Sequence, residues 1–388
     1  MAEDRLRVIL REIAEEHDYD NYEINIRPTS SEGANYTSAL YIATISEPDR
    51  ENLELFAKVS AVSGEMRTKI QLMARIYEVE LYFYDKLSKI YAELQEKHDI
   101  PEEHRLVLPK FYKGSAKYLE EILILENLVA RGYKLYDRRE SVTLEYASAA
   151  IQTLAKYHAL SFAFQIEQPD EYRRVIETFP FQMDAGEEMK DVYKTQMIPN
   201  AINSIREENR ETVRAYFDKP DNIDEWVNCF KYSDHKVIAH CDYRPSNLMY
   251  REKNEKIHVI PVDFQTFMHG NPLCDLIYFI YTGSDGQFRK HHYHNLIEHY
   301  YSELGDALSR LGADIEIAYP RKDFERDIEE IKMFGLIVAV SVLPIVMVEA
   351  HRAPKVDELQ LTDLAVKPNE LYAKRLNEIV DEYVERGL

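Results

Sequence analysis

The apolar residues of this chain change their spacing once, near Glu126 to Gly132, and that change limits the folds it can adopt. Before it, "YEINIRP" (22–28), "SALYIATI" (38–45) and "LELFAKVS" (53–60) alternate apolar with polar or carry β-branched runs, and the polar turn "SEPDREN" separates the last two. Such runs, bounded by turn formers, are strands joined as hairpins. "RLVLPKFYKG" (105–114) and "YLEEILILENL" (118–128) read as two more. Between them, Ile70, Met73, Ile76, Tyr77, Leu81, Tyr84 and Leu87 recur at spacings of three and four, which predicts one long amphipathic helix. From Val142 onward helical periodicity dominates, broken by a stretch at 237–251 and by "KIHVIPVDFQTF" (256–267), a further short strand. The expected class is α+β in two lobes, a strand-rich lobe over 1–128 and a larger helical lobe over 129–388.

Length and charge agree with that division. A chain of 388 residues with 45% hydrophobic residues buries a large core and exceeds one compact unit of ordinary size. Only 12 glycines are present, so the lobes share a tight connection rather than a flexible linker. The formal net charge of −21, from 48 Lys and Arg against 69 Asp and Glu, argues against a nucleic-acid or anionic-membrane partner. Cys229, Cys241 and Cys274 are too few and too scattered for a disulfide framework. The opening "MAEDRLRVILREIAEEH" is an amphipathic helix without the apolar centre of a signal peptide, so a cytoplasmic protein is expected. "FGLIVAVSVLPIVMV" (334–348) falls short of the ~20 residues that span a bilayer and contains Pro344, which makes it a buried core helix. Nothing in the pattern calls for an obligate protein partner.

The stretch "VIAHCDYRPSNLMYR" sets His240, Asp242 and Asn247 at fixed offsets on a short loop between apolar runs. Phosphoryl transfer from ATP to an alcohol needs a carboxylate beside the attacking hydroxyl, and metal and cations around the phosphates. Asp242 suits the first task, and Asn247, five residues on, offers an amide oxygen to Mg²⁺. His240 would hold the loop by hydrogen bonds. Asp263, directly after the apolar run "VIPV", supplies a second metal ligand, and the order H-x-D-x4-N then V-D-F is what a kinase-type catalytic loop and metal loop look like. Arg244, two after Asp242, stands where many protein kinases carry a lysine and would add positive charge near the transferred phosphate. Upstream, Lys58 near the end of a strand would reach the α- and β-phosphates, with Glu80 on the long helix as its partner and Glu78 as the less favoured alternative. "SEGANYTS" (31–38) has one glycine and several small residues, so Gly33, Asn35 and Ser38 could offer backbone N–H groups to the phosphates, although G-x-G-x-x-G is missing. The adenine edge would meet the backbone of Glu126, Asn127 and Leu128, where the lobes join.

Each of these residues also has a plainer reading. A strand lysine is usually solvated, Glu126 could only cap its strand, and a motif is a hypothesis until its context agrees. Here the context agrees for Lys58, Glu80, Asp263 and the order of the lobes. His291, His292, His294 and His299 invite a metal, but no H-E-x-x-H is present and Arg289 and Lys290 oppose a divalent ion, so a helix surface is expected. Asp275, twelve residues past Asp263, begins a helix after Pro272 and suits a hydrogen bond to the catalytic loop better than direct chemistry.

With these residues in view, the chain resembles the ecdysteroid 22-kinase-like family, also called CHK kinase-like, within the choline-kinase and aminoglycoside-phosphotransferase group. The resemblance rests on "GANYTSALY", "FAKVS", "EVELYFYDKL", "LILENLVARGYKLYDRR", "LAKYHALSFAF", "HCDYRPSNLMY", "VDFQTFMHGNPLCDLIYF" and the apolar "LIVAVSVLP", and covers nearly the whole chain. It implies a two-lobed protein-kinase-like fold and ATP- and Mg²⁺-dependent phosphorylation of a small-molecule hydroxyl, ecdysteroids and xenobiotic alcohols included. By position it implies Asp242 as catalytic aspartate, Asn247 and Asp263 as metal ligands and Lys58 as the phosphate-contacting lysine. The chain departs from the family's usual residues at Cys241, often Gly, at Arg244, often Trp, and at Asn127, often Asp.

Three rival readings stand beside this one. A protein kinase is disfavoured because about a dozen residues separate Asp263 from the helix near Asp275, too few for an activation loop and A-P-E segment. A nucleotide-binding pseudokinase or scaffold would be favoured by loss of Asp242, Asn247 or Asp263, and all three are present. A choline- or aminoglycoside-type kinase would want an acidic pocket, which the composition permits.

Overall fold

The computed structural model describes residues 2–29, 38–61, 63–64, 75–180, 186–219, 224–349 and 361–388. Helix α1 (Ala2–Glu16) packs on a five-stranded antiparallel sheet made of β1 (Glu23–Thr29), β2 (Ser38–Ser46), β3 (Leu53–Ser60), β4 (Phe111–Ser115) and β5 (Ile122–Glu126), in the order β1-β2-β3-β5-β4. The period of two gives each strand two faces. Leu55, Ala57 and Val59 of β3, with Ala43, Ile45, Ile122 and Ile124, close onto Leu6, Leu10 and Ile13 of α1. Burying each of these branched side chains contributes about 1.5–3 kcal/mol, which fixes the register of β3. The alternate residues Leu40, Ile42, Phe56, Lys58 and Leu125 therefore point into a cleft on the other side. Pro28 lies on the edge strand β1, where a missing N–H costs no ladder bond.

Helices α2 (Ile76–Tyr82) and α3 (Ser88–Lys97) run on from one another through a π turn at Phe83–Leu87. The long helix expected from the spacing is present with this loosened turn in it, while Ile70 and Met73 lie outside the described residues. Two expected strands are shorter than their apolar runs. The ladder of the first begins only at Phe111, after Pro109, and that of the second spans Ile122–Glu126.

After Glu126 the chain passes a short strand, β6 (Lys134–Leu135), and enters the helical lobe. Its long helix α4 (Leu144–Glu167) is followed by α5 (Pro169–Thr178), by three further helices between 186 and 217 and by α6 (Glu225–Lys231). Strand β7 (Val237–Ala239) pairs with β10 (Met268–Gly270), and between them β8 (Leu248–Lys253) and β9 (Lys256–Pro261) form a hairpin that β6 joins. The hairpin turns on Asn254 and Glu255, both at positive φ. Then come α7 (Pro272–Gly283), α8 (Gly286–Arg310), α9 (Phe334–Ser341) and α10 (Glu370–Glu385). One apolar core runs through this lobe and up to Phe83, Tyr84 and Leu125.

The apolar run at 334–348 is buried as expected but is two helices, not one. Helix α9 stops at Ser341 and a second begins at Leu343 with Pro344 in its first turn. Proline has no N–H and crowds the carbonyl four residues back, so it starts a helix more readily than it continues one. Among the described residues no helix is long and apolar enough to cross a membrane. The histidine run lies on α8, and among the described residues no group of three or more His, Cys, Asp or Glu side chains is placed to hold a metal ion.

Candidate active site

Lys58 reaches across the cleft from β3. Its ammonium lies 2.7 and 2.8 Å from the two carboxylate oxygens of Glu80 on α2, and 2.6 Å from Asp263 Oδ1, a residue 205 positions away in sequence. Burial alone would push the lysine pKa down, but the two carboxylates outweigh it and hold the ammonium charged. Two carboxylates share one ammonium, so one negative charge is in excess. Burial pushes Glu80 up, and Lys58 only partly offsets it. Asp263 moves the other way, because Lys58 and Arg244 together overcome its burial and hold it below the usual carboxylate range.

Asp263 adopts φ +69°, a left-handed conformation that a side chain accepts only when its surroundings over-determine it. Those surroundings are visible. The next ring, Phe264, stacks on Phe83 of the π turn at 3.5 Å and 8°, and the Val262 N–H donates to the Asn247 carbonyl at 2.9 Å.

The second half of the site is the loop after β7. Asp275, fully buried in the first turn of α7, accepts the N–H groups of His240 and Cys241, both at 2.7 Å. His158, from the middle of α4, contacts the same carboxylate at 3.1 Å and the Tyr300 hydroxyl at 2.8 Å through its other nitrogen. Charge-assisted bonds of this kind are about twice as strong as neutral ones. They hold Cys241 at φ +64°, which explains why a glycine would fit there without strain. His240 Nε2 donates to the Val262 carbonyl at 3.0 Å, leaving Nδ1 to accept the Asp242 N–H at 3.3 Å, so one imidazole ties the loop after β7 to the loop after β9.

Asp242 is held by three side chains. Asn247 Nδ2 donates to Oδ2 at 2.7 Å, the Tyr278 hydroxyl donates to Oδ1 at 2.7 Å, and Arg244 Nε lies 2.8 Å from Oδ1. Because Asn247 Nδ2 also meets the Asp242 carbonyl at 3.0 Å, its amide nitrogen faces Asp242 and its Oδ1 faces the other way. Asn247 and Asp263 both line the cleft.

The cleft has an empty volume of about 970 Å³, open solvent at its mouth included. Lys58, Glu80, Glu126, Asn127, Leu128, Asn247 and Asp263 all line it, so the structure brings together most of the residues singled out from the sequence. Others fall elsewhere. Arg244 lies against Asp242 rather than on the cleft, although its charge is felt at Asp263. Ser38 is buried at the start of β2 opposite Ser60 and does not line the cleft, while Gly33 and Asn35 lie outside the described residues. At the lobe junction the Glu126 N–H is taken by the Lys110 carbonyl and the Asn127 N–H by Glu54. Asn127 Oδ1 accepts the Val129 N–H at 3.1 Å, and the Glu126 side chain pairs with Arg131. Among the described residues no hydrogen bond engages the Leu128 N–H, which leaves it to meet a ligand.

Two residues that hold this site carry little signal in the sequence. Tyr278 sits in "CDLIYFIY", which reads as uniform core, and His158 is a lone histidine in an apolar helix run. Only an unusually polar residue amid apolar neighbours hinted at the second.

A strand-borne lysine paired to a helix glutamate and to an aspartate after the catalytic loop defines the protein-kinase-like class, in its two-lobed form. The chain belongs to the ecdysteroid kinase-like family, which it matches over residues 32–313. No curated protein matches it. Among solved structures it is similar to an ethanolamine kinase of Plasmodium vivax, with 11% identity over 97% of this chain and 88% of that one, and a TM-score of 0.46. A microcompartment-associated aminopropanol kinase shows 13% identity over 98% of both chains, with a TM-score of 0.43.

Proposed function

We propose that the protein transfers the γ-phosphoryl group of ATP to a hydroxyl of a small molecule, an ecdysteroid or other steroid or xenobiotic alcohol, with Mg²⁺ as cofactor. The observation that carries this reading is the Lys58 ammonium bridging Glu80 and Asp263 inside the cleft lined by Leu125 to Val129. Lys58 holds the phosphates, and Glu80 aims Lys58. The adenine edge meets the Glu126 carbonyl and the Leu128 N–H. Asp242 accepts the proton of the attacking hydroxyl, and Arg244 adds positive charge beside it. The lobes meet at 128/129, and the protein acts in the cytoplasm without an obligate partner.

The residues fit a magnesium ion. Asp263 and the outward-facing Asn247 Oδ1 are hard oxygen donors on one cleft, and magnesium is usually held by one or two protein groups together with substrate phosphates and water. When bound, it neutralises charge on the phosphates.

The test is transfer from labelled ATP to a panel of ecdysteroids and other polyols, with Asp242→Ala as control. Phosphorylated product that vanishes in the variant supports the reading. Tight nucleotide and Mg²⁺ binding with no product from any acceptor would favour the pseudokinase, and full turnover by Asp242→Ala would remove Asp242 as the base.

A further inference from the structure

A carboxylate oxygen offers about two lone-pair sites. On Asp242 Oδ1 one is taken by the Tyr278 hydroxyl at 2.7 Å, and the Arg244 guanidinium crowds the other side as an ion-pair contact, its Nε 2.8 Å away. Oδ2 has one side-chain donor, Asn247 Nδ2, and so keeps one site open. We propose that Tyr278 is a positioning residue for the transfer step, fixing Asp242 through Oδ1 so that Oδ2 is the oxygen that receives the acceptor's proton. This rests on the kinase reading above. In the step, the acceptor oxygen forms a bond to the γ-phosphorus, the bond from that phosphorus to the β–γ bridging oxygen breaks, ADP leaves with the electron pair, and the proton passes to Asp242 Oδ2.

Three features make Tyr278 suited to this. It lies one helical turn after Asp275, on the same face of α7, so the helix that holds the loop backbone also holds the carboxylate. Its ring is 5% exposed and packs edge-on to Trp226 at 6.2 Å, which leaves the hydroxyl little freedom to swing away. Burial and the neighbouring Asp242 charge keep the phenol far above its usual pKa, so it stays a donor. The Arg244 contact is an ion pair without hydrogen-bond alignment and does not fix the plane of the carboxylate; the two donors that oppose rotation about the Cβ–Cγ bond are Tyr278 on Oδ1 and Asn247 on Oδ2.

The experiment compares Tyr278→Phe with Tyr372→Phe, which removes a buried hydroxyl on α10 that has no hydrogen-bond partner among the described residues and lies outside the site. Each is assayed with Mg·ATP and ecdysone as acceptor probe, and each is crystallised beside the parent protein. Loss of a hydrogen bond to a charged group predicts that Tyr278→Phe lowers kcat about ten- to a hundredfold, with KM for ATP and for ecdysone unchanged. Its crystal structure should show the Asp242 carboxylate turned from its present plane, while Tyr372→Phe matches the parent in both respects. A kcat within twofold of the parent, or a carboxylate that keeps its plane without the phenol oxygen, overturns the proposal. If the parent transfers nothing to ecdysone, that acceptor fails, and the crystal comparison still decides the role of Tyr278.

Discussion

Replacing Asp275 with alanine removes the acceptor that holds the loop after β7, and the cost can be worked from the contacts. The carboxylate is fully buried and receives two backbone N–H groups at 2.7 Å, with His158 at 3.1 Å. In the variant the N–H groups of His240 and Cys241 stay buried without a partner, and each orphaned donor costs about 1–3 kcal/mol. Two of them give a loss of roughly 4 kcal/mol, before the bond to His158 is counted. Urea unfolding followed by tryptophan fluorescence measures it, because Trp226 is the chain's single tryptophan and packs beside Tyr278 of the same helix. The midpoint should fall at unchanged slope. His158→Ala should cost less in the Asp275→Ala background than alone, since the two share one bond. A loss below about 1 kcal/mol would show that the loop finds other acceptors, and the account of the strained Cys241 backbone would go with it.

Three further outcomes are expected. Lys58→Met leaves two buried carboxylates facing one another without an ammonium, so titration calorimetry should show ATP affinity at least tenfold weaker, roughly 1.4 kcal/mol or more; unchanged affinity would take Lys58 out of the nucleotide site. Burial, with the Lys236 charge adding to it, lowers the His269 pKa from 6.5 to about 4, so below pH 6.5 the unfolded chain binds a proton that the folded chain refuses. Stability should fall as pH drops from about 6.5 toward 4, and His269→Gln should flatten that slope in unfolding at pH 7, 6 and 5; identical slopes would refute it. At Gly335 an added Cβ would come within 2.6 Å of both Tyr281 and the Tyr383 hydroxyl, so Gly335→Ala should destabilise by about 1–3 kcal/mol in the same urea assay, and a neutral result would mean that α9 can shift.

What could be read from the sequence was what short-range periodicity encodes. Lys58 alternates with Ala57 and Val59 on a strand whose other face is apolar, and this is enough to aim it away from the core. Asp263 follows an apolar run that ends in a loop. The partners that fix Asp242 are of another kind. Tyr278 lies 36 positions from it in a stretch without polar contrast, and only the docking of α7 against the loop brings the hydroxyl to the carboxylate. Arg244 was expected near phosphate from its offset, and its 2.8 Å contact with the Asp242 carboxylate is a partner that the offset alone does not specify. Ser38 was assigned to the phosphate loop, yet it already pairs opposite Ser60 in the sheet. The break at Val342 could have been anticipated from Pro344, whereas the π turn leaves no mark in apolar spacing because its rings are buried either way.

That π turn sets an angular phase. An α-helix advances about 100° per residue, and one wide turn holds an additional residue without lengthening the helix by a full turn. Upstream of it the helix shows Glu80 to the lysine, and downstream it shows Tyr91 and Leu94 to the helical core. Shortening the segment by one residue would rotate one end against the other by more than a quarter circle, so the core could keep its grip only by turning Glu80 away from Lys58. The wide turn thus acts as a gear offset that lets one rod mesh with two differently oriented surfaces.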